Sequence, residues 1–130
     1  MELVAIVVVA ALVQYTIFGA LVGRARMQYK VDAPAITGHP VFERYYRVHQ
    51  NTLESLVMFI PGILLFATYV RADVAAAIGV VFIIGRFIYL RAYVSDPKSR
   101  SLGFMLTILP SAILALGGCI GALMSIIQGL

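Results

Sequence analysis

Two groups of polar side chains stand where an apolar chain should avoid them. Arg47, Asn51 and Glu54 are spaced i, i+4, i+7, which sets them on one face of a helix. Arg86, Tyr89 and Tyr93 are spaced i, i+3, i+7 and share a face in the same way. Arg100 follows two turns later if that helix continues past Pro97, a residue type that breaks helices. Guanidinium forks match carboxylates. A carboxylate at Glu54 suits an ammonium group, and Asn51 and the tyrosine hydroxyls suit amides or a thiol. Such a set describes a zwitterionic ligand with more than one carboxylate and peptide-like groups. The alternative is that Arg47 and Glu54 neutralise each other between helices. The helix-three tyrosines would then belong to the interfacial belt, where Tyr45, Tyr46 and Tyr69 are already placed.

The elements that must position these residues are membrane helices. Of 130 residues, 62% are hydrophobic and only 12% charged, with a mean hydropathy of +0.96. Soluble domains are closer to one half apolar and one quarter charged, and so short a chain could not bury this much apolar surface in one core. Disorder, a coiled coil and a disulfide-stapled module fall to the same figures. Four stretches of spanning length remain, over 3–22, 52–69, 74–93 and 103–127. The expectation is an all-α, integral membrane four-helix bundle in which 1–130 form a single domain. The first stretch lacks a basic leader and a clear cleavage site, so it is read as a retained helix. Pro61 and Pro110 lie inside apolar runs, which bilayer helices tolerate.

Charge sets the orientation. The connection over 23–51 holds Arg24, Arg26, Lys30, Arg44 and Arg47, and Arg91, Lys98 and Arg100 fall at or within the one over 94–101. The second connection offers Arg71 alone, offset by Asp73. The positive-inside rule therefore puts loops 23–51 and 94–101 in the cytoplasm and both termini outside. No basic run with interleaved aromatics marks a nucleic-acid partner. Cys119 is the only cysteine, and His39 and His49 stand without a Cys cluster, so no metal motif is present. Gly19 with Gly23, and Gly117 with Gly121, have the four-residue spacing of close helix packing, although glycine is also simply common in membrane helices and either pair alone fits that reading equally well.

The segment from Phe42 to Glu54 (FERYYRVHQNTLE) resembles the signature of the MAPEG family, membrane-associated proteins of eicosanoid and glutathione metabolism. Gly85 to Tyr93, followed by Arg100, resembles the family's second block on helix three. Both blocks and the four-helix layout match, so the likeness covers nearly the whole chain. It implies a homotrimer that binds glutathione between neighbouring subunits near the cytoplasmic face. Carried over position by position, the glutathione ligands are Arg26, Arg47, His49, Asn51, Glu54, Tyr89 and Tyr93. Arg100 matches the arginine credited with stabilising the thiolate, while Arg86 matches one with a structural role.

The implied activity is that of a glutathione transferase with glutathione as co-substrate and no metal. Arg100 would favour the thiolate, since cations lower a thiol's pKa from about 8.5. The partner is a lipophilic electrophile, or a lipid hydroperoxide for a peroxidase side activity, arriving through membrane lipid. Ser55 replaces a tyrosine common in the family, Met27 replaces an arginine of leukotriene C synthase, and Val57 stands at a position that is often proline. These departures favour a general detoxification enzyme of a bacterial inner membrane over a dedicated eicosanoid enzyme. The competing reading is a non-catalytic lipid-binding protein of the lipoxygenase-activating type. A four-helix drug exporter ranks last, because helix one carries Gln14 where such transporters need a carboxylate.

Overall fold

The computed structural model describes residues 1–130. Four helices follow one another: α1 (Glu2–Tyr29), α2 (Pro40–Tyr69), α3 (Ala72–Ser95) and α4 (Ser101–Gly129). All four are long and apolar enough to cross a membrane. Each contains one of the apolar stretches but runs past it. A 28-residue helix like α1 is roughly 42 Å long, against a hydrocarbon core of about 30 Å. The excess projects into the polar region.

This corrects the connections expected over 23–51 and 94–101. The first shrinks to residues 30–39 and the second to 96–100, so Arg24, Arg26, Arg44 and Arg47 sit on helices. Hydropathy locates only what lies in lipid, whereas helical hydrogen bonds persist beyond it. The local signals mark the true ends. Lys30 closes α1 in the left-handed conformation, φ 56°, with its N–H on the Arg26 carbonyl. His39 caps α2 by accepting from the Val41 N–H at 3.2 Å, and Pro40 follows in the first turn. Pro97 ends α3, and a 3-10 turn over Pro97–Ser99 leads into α4. Pro61 and Pro110 lie inside uninterrupted helices.

α2 and α3 form the central pair, and α1 and α4 each pack on both. A core cluster joins Val4, Val7 and Ala11 of α1 to Phe59, Ile63 and Phe66 of α2, Phe82 of α3 and Leu114 of α4. Phe59 and Phe82 stack at 3.8 Å. A smaller cluster of Phe18, Val48 and Tyr89 lies nearer the basic end. Only 30 of the 130 residues are buried, so most apolar side chains face outward, as lipid allows and water does not. The chain is a multi-pass membrane protein.

Helices α3 and α4 come closest at two glycines. A Cβ on Gly103 would lie 2.6 Å from the backbone N and Cα of Tyr89, and one on Gly85 would lie 2.6 Å from Leu106 Cβ. Neither contact survives a side chain without displacing a helix. Of the pairs expected from spacing, Gly117 and Gly121 do pack, against Phe66 and Tyr69 of α2. Gly19 lies against the His49 ring, and Gly23 meets nothing within the chain.

Gly103→Ala should therefore push α4 away from Tyr89. Thermal unfolding in detergent is expected to show a loss of about 1–3 kcal/mol, whereas Gly23→Ala should leave the midpoint unchanged.

Candidate functional site

The face of α2 that carries Arg47, Asn51 and Glu54 meets the face of α3 that carries Tyr89 and Tyr93. Arg100, at the turn into α4, closes the third side. These six residues and Phe104 line one cavity of about 320 Å³, within the ~300–1,000 Å³ range of small-molecule sites. Arg100 reaches it although the helix breaks. α3 stops at Ser95, and the turn, not a continued helix, delivers the guanidinium. Phe104 was not foreseen, since one more aromatic in an apolar run carries no signal of its own.

Several contacts fix the wall. The Tyr89 and Tyr93 rings stack at 5.6 Å, nearly parallel. Arg44 donates to the Val94 carbonyl at 3.0 Å and so ties the start of α2 to the last turn of α3. A cation on the last carbonyls of a helix is favoured by the helix dipole as well. Arg100 donates to the Pro97 carbonyl at 3.2 Å within its own turn.

The charges in the cavity are not spent on one another. The chain has two ion pairs, Met1 with Glu2 and Arg71 with Asp73, and neither touches the cavity. Arg47 and Glu54 thus do not neutralise each other, which was the alternative use for them. Asn51 Oδ1 is buried without a hydrogen-bond partner. Two guanidiniums, one carboxylate, an amide and two phenols converge, a set matched to a ligand with several anionic groups and an ammonium. No three His, Cys, Asp or Glu side chains converge to hold a metal ion.

Two of the expected ligands lie elsewhere in the chain. Arg26 donates to the Ala35 carbonyl at 2.7 Å and sits over the Phe42 ring at 4.7 Å. His49 stacks on Tyr15 at 4.3 Å, between α2 and α1. Neither lines the cavity.

Against the wall lies Arg86, the largest fully buried side chain. It donates from Nη2 to Thr52 Oγ1 at 2.8 Å and from Nη1 to Thr107 Oγ1 at 3.2 Å. Its guanidinium carbon lies 4.4 Å from the Tyr89 ring centroid. Three helices, α2, α3 and α4, are joined through this one group. A second, smaller cavity of about 170 Å³ opens beside Thr107 and shares Asn51 and Glu54 with the first.

Comparison with known proteins places the chain in a wider set. A sequence model described as the MAPEG family matches residues 4–120. The chain is 42% identical over 123 residues to an uncharacterized protein of Synechocystis sp., covering 95% of this chain and 87% of that one. It is 38% identical to microsomal glutathione S-transferase 2 of Homo sapiens, over 92% of this chain and 81% of that protein. Against leukotriene C4 synthase of Cavia porcellus the identity is 32%, over 71% and 67%.

Thr107→Val should leave one guanidinium N–H of Arg86 buried and unpaired. A stability loss of about 1–3 kcal/mol is expected on thermal unfolding, and Thr107→Ser, which keeps the hydroxyl, should restore most of it.

Proposed function

Because the chain belongs to the MAPEG family, we propose that it is a membrane-bound glutathione transferase acting on lipophilic electrophiles. The observation that carries this is the meeting of Arg47, Asn51, Glu54, Tyr89, Tyr93 and Arg100 around one cavity with no ion pair among them. Glutathione has two carboxylates, one ammonium, two amides and a thiol. Arg47 would hold a carboxylate, Glu54 the ammonium, and Asn51 and the tyrosines the peptide groups and sulfur. The microsomal glutathione S-transferase relatives support the same co-substrate.

Arg100 is the residue proposed for the chemical step. Its cation beside the sulfur favours the thiolate, with the proton leaving to solvent. The thiolate sulfur then forms a bond to an electrophilic carbon, and the displaced group leaves with its electron pair. No protein base is needed in this scheme. Arg26 and His49 belong to it if the protein is a homotrimer with sites between subunits, each facing a neighbour's cavity. A non-catalytic lipid-binding role is disfavoured, because it would need neither the free cations nor the thiolate-side Arg100.

In a bacterial inner membrane, the basic ends of the helices and their connections would face the cytoplasm and both termini the outside. A cysteine at position 36 in a Cys119→Ser background should then be labelled by a membrane-impermeant reagent in inverted but not in right-side-out vesicles. Labelling in the opposite vesicles would reverse the orientation.

For the activity, the detergent-purified protein is titrated with glutathione while thiolate absorbance is followed. An aryl halide and a lipid hydroperoxide are then offered as co-substrates. Arg100→Ala should abolish the thiolate signal near neutral pH while glutathione still binds. Glu54→Gln should weaken glutathione binding by about 10–100-fold, the worth of a charge-assisted hydrogen bond. Unchanged thiolate absorbance in Arg100→Ala would refute the role given to Arg100.

A further inference from the structure

Arg86 is fully buried and carries a charge that nothing in the chain cancels. Its guanidinium meets two neutral hydroxyls and the face of Tyr89, and its Nε has no partner. Both ion pairs of the chain lie elsewhere, at exposed positions. A guanidinium stays protonated in proteins, and hydroxyl acceptors solvate a cation without neutralising it. The charge is therefore felt across its surroundings, and strongly so where the dielectric is low. Tyr89 touches both: its ring packs on Arg86 and stacks on Tyr93, and both tyrosines line the cavity.

A purely structural part for Arg86 fits the hydrogen bonding poorly. Thr52 Oγ1 already donates to the Val48 carbonyl at 2.7 Å, and Thr107 Oγ1 to the Gly103 carbonyl at 2.9 Å. Their lone pairs accept from Arg86, so removing the guanidinium strands no buried donor. An apolar side chain of similar length would fill the same volume between the three helices without the cost of burying a charge. Retaining a lone cation in a membrane bundle needs another reason.

We propose that Arg86 is a positioning residue of the glutathione site: it fixes Tyr89 as the cavity wall and supplies, through that ring, a second positive charge that keeps the bound sulfur ionised. This rests on the glutathione reading above and adds a residue that does not touch the ligand. Arg100 would then share the work of stabilising the thiolate with a cation fixed against that ring.

The test is the pH titration of thiolate absorbance in the complex of the full-length, detergent-purified protein with glutathione. Arg86→Met and Arg86→Gln should fold, with thermal midpoints near that of the unaltered protein. Their thiolate midpoint should rise by about one pH unit, a roughly tenfold loss of thiolate at pH below it. Arg86→Lys, which keeps the charge, should titrate close to the unaltered protein. Binding of S-hexylglutathione, whose sulfur cannot ionise, should change by less than about threefold in all three, a small fraction of a charge-assisted contact. A folded Arg86→Met or Arg86→Gln with an unshifted midpoint overturns the proposal while leaving the glutathione reading intact. So does a midpoint raised as far in Arg86→Lys as in the neutral variants. Failure of all three to fold also overturns it, by making the guanidinium a structural requirement. If the unaltered protein shows no thiolate with glutathione at all, the glutathione reading fails first and this proposal with it.

Discussion

The close approach of α3 and α4 governs the rest of the molecule. Where Gly103 lies against the backbone of Tyr89 there is no room for a side chain. That contact sets the height at which α4 begins, and so the position of Arg100 three residues earlier. Gly85, one turn before Tyr89, holds the same two helices together against Leu106. Between these points Arg86 reaches Thr107 of α4 and Thr52 of α2. A cavity walled by three helices exists because two of them touch at their backbones and the third is tied in beside them.

Charge explains why the cavity lies at the end of the bundle that carries Arg47 and Arg100. Carrying a guanidinium to the middle of a bilayer costs several kcal/mol unless it is solvated or turned toward a cavity. Arg47 and Arg100 avoid that cost by lying where the helices emerge, both of them exposed. Arg86 meets it with two hydroxyls and an aromatic face. The apolar core of Phe59, Phe66 and Phe82 fills the remainder, and Arg86 is the one buried charged side chain. Gln14 is buried with its amide N–H on the Ile83 carbonyl at 2.9 Å.

Much of this was legible from the chain alone, because membrane helices obey few rules. Length and hydropathy gave four helices, and helical spacing put Arg47, Asn51 and Glu54 on one face and Tyr89 with Tyr93 on another. The ends of the helices were less legible. Arg24 to Tyr29 and Pro40 to Asn51 continue as helix outside the apolar stretches, where hydropathy is blind and only caps such as His39 and Lys30 speak. Glycine spacing was an uneven guide: Gly117 and Gly121 pack, while the decisive Gly85 and Gly103 belong to no pair.

The sequence by itself determined the elements and their chemistry, since residue type and period act locally and do not depend on partners. It also put the polar groups Arg47, Asn51 and Glu54 on one helix face and Tyr89 with Tyr93 on another. Tertiary structure alone decided which of those groups meet. It left Arg47 and Glu54 unpaired, brought Arg100 in through a turn at Pro97, added Phe104, and sent Arg26 and His49 to other contacts within the chain. It also put Arg86 against the Tyr89 ring and outside the cavity lining. Meetings of this kind depend on how far two helix axes stand apart and how they are rotated. Those quantities follow from the summed packing of every side chain between the helices, and no single spacing in the chain records them.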